Sequence, residues 1–367
     1  MTSQKKILII NDIGGSGGAE KILMHFSEFL HNKQYKFDIY LGTDGILEKT
    51  LGSFANVFSP KRKIKFAKLN LLIDVLGLVK EKDYDFIVLN SLFSQILCSP
   101  LSIFYKTKII WYQHNIQTKF FRKFFMIAWF NFFGSSMIAV SSAVKKSYMP
   151  YVKKVKIYVL HNGIYGLKKY NFDDQSAFKK EMGIQENEKL IIAISRLTFY
   201  KGLHILIRSF MTIDDDNLKL FIVGDSGESN KDKRYKDEIV KMSNQDKRIH
   251  FLGWRDDIDM LLNIADLFIA PAVKPDPFPT TILEAMSIGK CCLVSDIGGQ
   301  PEAIDNQSGI IFKPNRPDSL KEEIINIIYS DKRIKEFEAN SEIRYRTKFT
   351  FDCYKQKLSY ITDLILQ

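Results

Sequence analysis

The chain has 367 residues, 46% of them hydrophobic, which exceeds one typical domain, suffices for two that each bury a core, and excludes a disordered tail protein. Its formal charge of +11 is uneven: residues 1–165 carry 23 Lys and Arg against 10 Asp and Glu, and residues 166–367 carry 30 against 32. The first half therefore expects an anionic neighbour, and nucleic acid is set aside because no helix-turn-helix, zinc-knuckle or RNP-type string is present.

The start, MTSQKKILIINDIGG, holds an apolar run of only Ile7–Ile10 before Asn11 and Asp12, which predicts a first strand rather than a secretion signal. In the following GGSGGAEKILMHFSEFL, Gly14, Gly15, Gly17 and Gly18 allow close backbone approach at the start of a helix, where a phosphate can sit. A plain tight turn fits the same residues, and the strict dinucleotide fingerprint is absent. FDIYLG, DFIVLN, TKIIWYQH, SMIAVS and KIYVLHNG continue the first half as short apolar runs separated by helix-length segments. That alternation predicts a parallel sheet covered on both faces. His114 ends the run TKIIWYQH, on the side of a parallel sheet where α/β sites form; a satisfied polar group is the competing reading.

Between Asp85 and Asp173 there is no acidic residue, while Lys106, Lys108, Lys119, Arg122, Lys123, Lys145 and Lys146 recur. The basic and aromatic stretch Gln117–Phe133, QTKFFRKFFMIAWFNFF, predicts a helix lying in an anionic membrane surface, with packing inside the first domain as the alternative. The uncharged run Phe124–Val144 is not read as a membrane span, because Asn131, Gly134 and several serines interrupt it and both of its ends are basic.

The acid-bearing segment NFDDQSAFKKEMGIQENEK marks a domain boundary near residues 164 to 175, and KLIIAIS, LKLFIVG, RIHFLG, DLFIAP, CCLVSD and GIIF predict a second parallel sheet. Two Rossmann-like domains follow, residues 1–165 and 166–348, with a terminal helix over 349–367. In SRLTFYKG, Arg196 and Lys201 are held by one strand-to-helix loop, which can clamp a diphosphate; exposed surface cations are the alternative. In DPFPTTILEAM, Asp276 and Glu284 lie eight residues apart across a loop-to-helix junction, with the first-turn N–H groups of Thr280, Thr281 and Ile282 facing an anion. An ordinary capped helix with early prolines fits these residues too. Asp214–Asp216 reads as a turn and Asp257–Asp259 as a helix start, so no metal site is expected. Cys98, Cys291, Cys292 and Cys353 form no CxxC pair and are expected as free thiols in a reducing cytosol.

Taken in order, GGAE at Gly17–Glu20, the R-L-x-x-x-K-G string from Arg196, and the acidic-x7-acidic string from Asp276 to Glu284 resemble the signatures of family 4 retaining glycosyltransferases. The resemblance implies a GT-B fold, two Rossmann-like domains facing each other across a cleft, with the terminal helix returning to the first. It implies a metal-independent transferase with no cofactor, using a nucleotide-diphosphate sugar. The missing acidic residues and the basic-aromatic stretch add the expectation of an anionic membrane surface as partner, on the inner face of the cytoplasmic membrane, with a lipid-linked or growing cell-envelope glycan as acceptor. The resemblance assigns His114 and Asp276 to the transferred sugar. Gly17, Gly18, Arg196, Lys201, Phe278, Thr280, Thr281 and Glu284 fall to the donor, and VGDSG and FLGW to the neighbourhood of the nucleotide. Two residues depart from the pattern: Asp276 stands where the family usually has Glu, and Pro279 where it often has Gly. These departures keep a non-catalytic nucleotide-sugar-binding role open, and the paired Rossmann-like halves keep an NAD-dependent oxidoreductase open.

Overall fold

A computed structural model describes residues 5–12, 17–43, 45–60, 67–118, 120–149, 151–152, 155–243 and 246–366. Gly14, Gly15 and Lys119 lie outside the described residues. The chain divides into two compact units, Met1–Asn162 with Phe351–Gln367, and Gly163–Thr350.

The first unit is built on seven parallel strands: β1 (Lys6–Asn11), β2 (Lys36–Leu41), β3 (Asn56–Phe58), β4 (Phe86–Leu89), β5 (Lys108–Gln113), β6 (Ser136–Ala139) and β7 (Lys156–Val159), in the order β3-β2-β1-β4-β5-β6-β7. Runs of Ile, Leu and Val such as Ile7–Ile10 and Phe86–Leu89 are buried on both faces, as helices on each side require. The three-residue β3 was not anticipated: NVF is too short to show a period and pairs only at the sheet edge. The terminal helix Phe351–Leu366 packs in this unit, with the Phe351 ring 4.9 Å from His25 and the Tyr354 hydroxyl 3.0 Å from that of Tyr112.

The stretch Phe124–Val144 is divided among the helix Phe120–Phe133, β6 and the helix Ser142–Tyr148. No helix among the described residues is long and apolar enough to cross a membrane. On Phe120–Phe133, Met126, Ile127 and Phe130 face the core, whereas Phe121, Phe124, Phe125 and Phe132 are 87%, 68%, 45% and 75% exposed. That spacing draws one aromatic stripe along the outer face.

The second unit carries β8 (Lys189–Ile194), β9 (Leu218–Val223), β10 (Ile249–Gly253), β11 (Leu267–Ala270), β12 (Cys292–Ser295) and β13 (Gly309–Phe312), all parallel, in the order β10-β9-β8-β11-β12-β13. Its core joins Ile191, Leu206, Phe210, Leu220, Ile269 and Leu293, contributed by the strands and the helix Leu203–Met211. In both units the order reverses next to the first strand, between β1 and β4 and between β8 and β11. At such a reversal the connections leave to opposite faces and open a crevice at the carboxyl ends of the strands. Of the cysteines, Cys98, Cys291 and Cys292 are buried as free thiols, and burial pushes Cys98 and Cys291 up to about 12.

Candidate active site

In the second unit the loops leaving β8 and β11 meet at the reversal. After β8 the chain runs through Ser195 and Arg196 into a single 3-10 turn, Phe199–Lys201, and Gly202 then starts the helix Leu203–Met211 in a left-handed conformation, φ 73°. Only glycine fits there: a Cβ on Gly202 would stand 1.9 Å from the Pro271 carbonyl oxygen of the neighbouring loop. The two loops are also tied by Val273 N–H donating to Tyr200 O at 3.0 Å. The lysine-glycine step thus presses one loop against the other and delivers Lys201 to Asp276. Lys201 Nζ donates to Asp276 Oδ2 at 2.5 Å, and both side chains are largely out of water.

Asp276 is held from a third side. Its carbonyl accepts from Gly299 N–H at 2.7 Å, and it bridges to Gly298, whose φ of 67° would set a Cβ 2.4 Å from the Asp276 carbonyl oxygen. Three residues later Pro279, in an extended conformation, precedes the helix Thr280–Ser287, whose first turn no side chain caps. The unsatisfied N–H groups of that turn carry a partial positive charge. Thr280 and Glu284 are one turn apart on this helix, with Thr281 beside them, so these three share a face. A small cavity at the same place is lined by Ser195, Lys201, Pro271, Pro279, Thr281 and Gln300. Arg196, next to Ser195, is exposed, its Nη2 donating to the Tyr200 hydroxyl at 3.0 Å.

Phe278 differs from the other donor-loop residues. Its ring is 4% exposed and lies 5.6 Å from that of Phe349, so it anchors the loop in the core, and only its backbone is available to a ligand. The loops after β9 and β10 adjoin the Arg196 loop: Leu197 N–H donates to Asp225 O at 2.9 Å and Gly224 N–H to Gly253 O at 2.8 Å, while the Trp254 ring stands 72% exposed. Asp225 is held below the usual carboxylate range by the Lys236 ammonium. Asp214–Asp216 is a turn, with Asn217 N–H donating to Asp215 Oδ1, and Asp257 precedes the helix Ile258–Ile264. Gln300 and Gly298 were not singled out from sequence. The IGGQ string after the strand-like CCLVSD is the signal that points to them, since a glycine pair directly after a parallel strand permits close approach there.

In the first unit the corresponding strand ends carry different chemistry. Gly17, at φ −172°, is ordinary extended backbone and precedes the helix Gly18–Asn32, with Glu20 in its first turn. Asn11 ends β1, Asn90 follows β4 and His114 follows β5. Asn90 Nδ2 donates to Asn11 Oδ1 at 3.1 Å, and His114 Nε2 lies 2.9 Å from Asn90 Oδ1. The imidazole packs against the Tyr112 ring, centroids 4.5 Å apart, and burial holds its pKa down at about 4.

The family model for glycosyl transferases group 1 matches residues 174–344, and that for glycosyltransferase family 4 matches residues 16–165. The chain belongs to glycosyltransferase family 4. Among the relatives of this family 4 protein, the UDP-Gal:alpha-D-GlcNAc-diphosphoundecaprenol alpha-1,3-galactosyltransferase of Escherichia coli is 29% identical over 183 residues, 48% of this chain and 46% of that protein. The N-acetyl-alpha-D-glucosaminyl L-malate synthase of Bacillus anthracis is 33% identical over 146 residues, 37% of each chain. The matches thus span less than half the length of these curated relatives. Among solved structures, HepE of Anabaena in complex with UDP and glucose superimposes with a TM-score of 0.85 at 22% identity, covering 98% of this chain and 99% of that one. Sucrose-phosphate synthase of Thermosynechococcus elongatus does so at 0.84 and 16% identity, over 99% of each chain. Such likeness establishes the GT-B fold of the family 4 protein.

Proposed function

We propose that this family 4 protein is a retaining glycosyltransferase that moves a sugar from a nucleotide-diphosphate sugar to a lipid-linked or growing cell-envelope glycan. The carrying observation is the β8/β11 reversal, where Lys201 pairs with Asp276 beside an uncapped helix start and Arg196 stands exposed on the same loop as Lys201. As the glycosidic bond breaks, negative charge grows on the departing diphosphate. Two fixed cations and the N–H groups of Thr280 and Thr281 stabilise that charge without reorganising. Asp276 already accepts from Lys201, so as a carboxylate it is suited to orient sugar hydroxyls and poorly suited to attack as a free nucleophile. That favours a front-side displacement in which the leaving phosphate oxygen takes the acceptor proton. Glu284, one turn into the helix, is assigned to ribose or donor hydroxyls, and His114 to a substrate hydroxyl. Lys201 and Arg196 supply the charge that a divalent ion would otherwise bring, and we assign no metal or cofactor.

The names of two relatives support the acceptor class: the Escherichia coli protein above, and the N,N'-diacetylbacillosaminyl-diphospho-undecaprenol alpha-1,3-N-acetylgalactosaminyltransferase of Campylobacter jejuni, 29% identical over 187 residues. The aromatic stripe of Phe120–Phe133, flanked by Arg122 and by Lys123 packed over the Tyr151 ring, supports peripheral attachment to the anionic inner face of the cytoplasmic membrane. The test is a thermal-shift screen of nucleoside diphosphates and their sugars, followed by transfer from the stabilising donor to a diphospholipid-linked saccharide. One nucleotide should stabilise, and the product should keep the donor's anomeric configuration. Donor binding without transfer across a broad set would instead make the protein a non-catalytic binder, and stabilisation by NAD alone an oxidoreductase.

A further inference from the structure

Three polar residues at the β1/β4 reversal, Asn11, Asn90 and His114, form a hydrogen-bonded chain. Strand register sets Ile10 beside Leu89 and Leu89 beside Trp111, so Asn11 and Asn90 come side by side and Asn90 falls abreast of Tyr112. His114, two residues further on, shares the side of Tyr112. The Asn90 amide nitrogen donates to Asn11 Oδ1, which leaves Asn90 Oδ1 facing His114 Nε2. A carbonyl oxygen only accepts, so the hydrogen of this contact sits on Nε2. With the Asn11 oxygen facing Asn90, turning the Asn90 amide over would set acceptor against acceptor, so the direction of the whole chain follows from the orientation of Asn11. A neutral ring with its hydrogen on Nε2 offers a lone pair at Nδ1.

We propose that Asn90, oriented by Asn11, is a positioning residue that holds His114 in its Nε2–H form so that Nδ1 accepts a hydrogen bond from a hydroxyl of the bound carbohydrate. The inference rests on the glycosyltransferase reading and adds to it a direction: the substrate group at His114 must donate. A hydroxyl satisfies Nδ1, whereas a fluorine or methoxy group at the same carbon presents acceptor to acceptor. Asn11 and Asn90 are themselves buried and touch the substrate only through the ring they orient.

The test uses the full chain with isotope-labelled histidine and reads the ring-nitrogen tautomer at neutral pH, the His114 signals being those lost in His114→Gln. The wild type should show the Nε2–H form. Asn90→Ala and Asn11→Ala should mix the tautomers. Asn11→Asp, which still accepts from the Asn90 amide, should restore the wild-type pattern and guards against an Asn90 variant that fails to fold. In transfer assays Asn90→Ala should lose about tenfold in kcat/KM, the size of one oriented hydrogen bond. It should also narrow the preference for the natural carbohydrate substrate over its deoxyfluoro analogues. An Nδ1–H or doubly protonated ring in the wild type, or an Asn90→Ala protein with unchanged tautomer and rate, overturns the proposal. A protein showing the Nε2–H form but transferring no sugar from any donor would refute the transferase reading and leave the tautomer assignment standing.

Discussion

The two units share one strand order around their reversals but furnish them oppositely. At β8/β11 the side chains are charged, Arg196, Lys201 and Asp276, whereas at β1/β4 Asn11, Asn90 and a neutral His114 form a chain of hydrogen-bonding groups. Topology therefore supplies the crevice, and the residues at the strand ends decide what it can hold: fixed cations suit a diphosphate, and oriented neutral acceptors suit hydroxyls.

The charged reversal should break most sharply at Lys201. Lys201→Met leaves the Asp276 carboxylate buried without its cation, which costs about 3–5 kcal/mol when a buried pair loses one partner. The expected outcome is a large fall in Tm together with loss of transfer, and an unchanged Tm would show that the pair is not structurally coupled. Arg196→Ala and Glu284→Ala sharpen the same comparison, since Arg196 is exposed and Glu284 only half-buried. Each should lower donor kcat/KM by roughly 1.5–3 kcal/mol, the worth of one charge-assisted contact, without moving Tm. Near wild-type turnover in either folded variant would remove that residue from the site.

On the first unit, Phe121→Ser with Phe124→Ser and Phe132→Ser should reduce vesicle binding at every salt concentration, because aromatic insertion is not screened. Arg122→Glu with Lys123→Glu should reduce it mainly at low salt. Co-sedimentation with anionic and neutral vesicles separates the two contributions, and equal binding to both lipids would end the electrostatic half of the account. A smaller effect is expected of pH. His114 is held at about 4 in the folded chain, below its unfolded value, so between about 6.5 and 4 the unfolded state binds the extra proton. Stability present above that window should be lost progressively as pH falls through it, and His114→Gln should flatten this slope in urea titrations. The smallest expected effect is that of EDTA, which should leave transfer unchanged. Loss restored by manganese or magnesium would show that Lys201 and Arg196 do not carry the leaving-group charge alone.

Much of this is legible in the sequence. Apolar runs such as KILII and KLIIAI read as strands of a sheet covered on both sides, and the strings around Arg196, Lys201 and Asp276 fall beyond strand ends marked by Ser195 and Pro271. Less legible was the fate of single side chains. Phe278 reads as part of a donor loop yet points into the core against Phe349, and Lys201 reads as a diphosphate clamp yet is engaged by Asp276. Asn11 and Asn90 gave no local signal, since an asparagine at a strand end is ordinary turn chemistry.

By itself the sequence determined the alternation of strand and helix, the charge asymmetry between the halves and the presence of the family strings, all of which are local properties of composition and period. Only the tertiary structure decided which strand ends lie side by side. Lys201 and Asp276 are 75 residues apart, and Asn90 and Asn11 79. Which residues pair across such separations is set by sheet order and by the close loop contacts that Gly202 and Gly298 permit, and no periodicity along the chain encodes them.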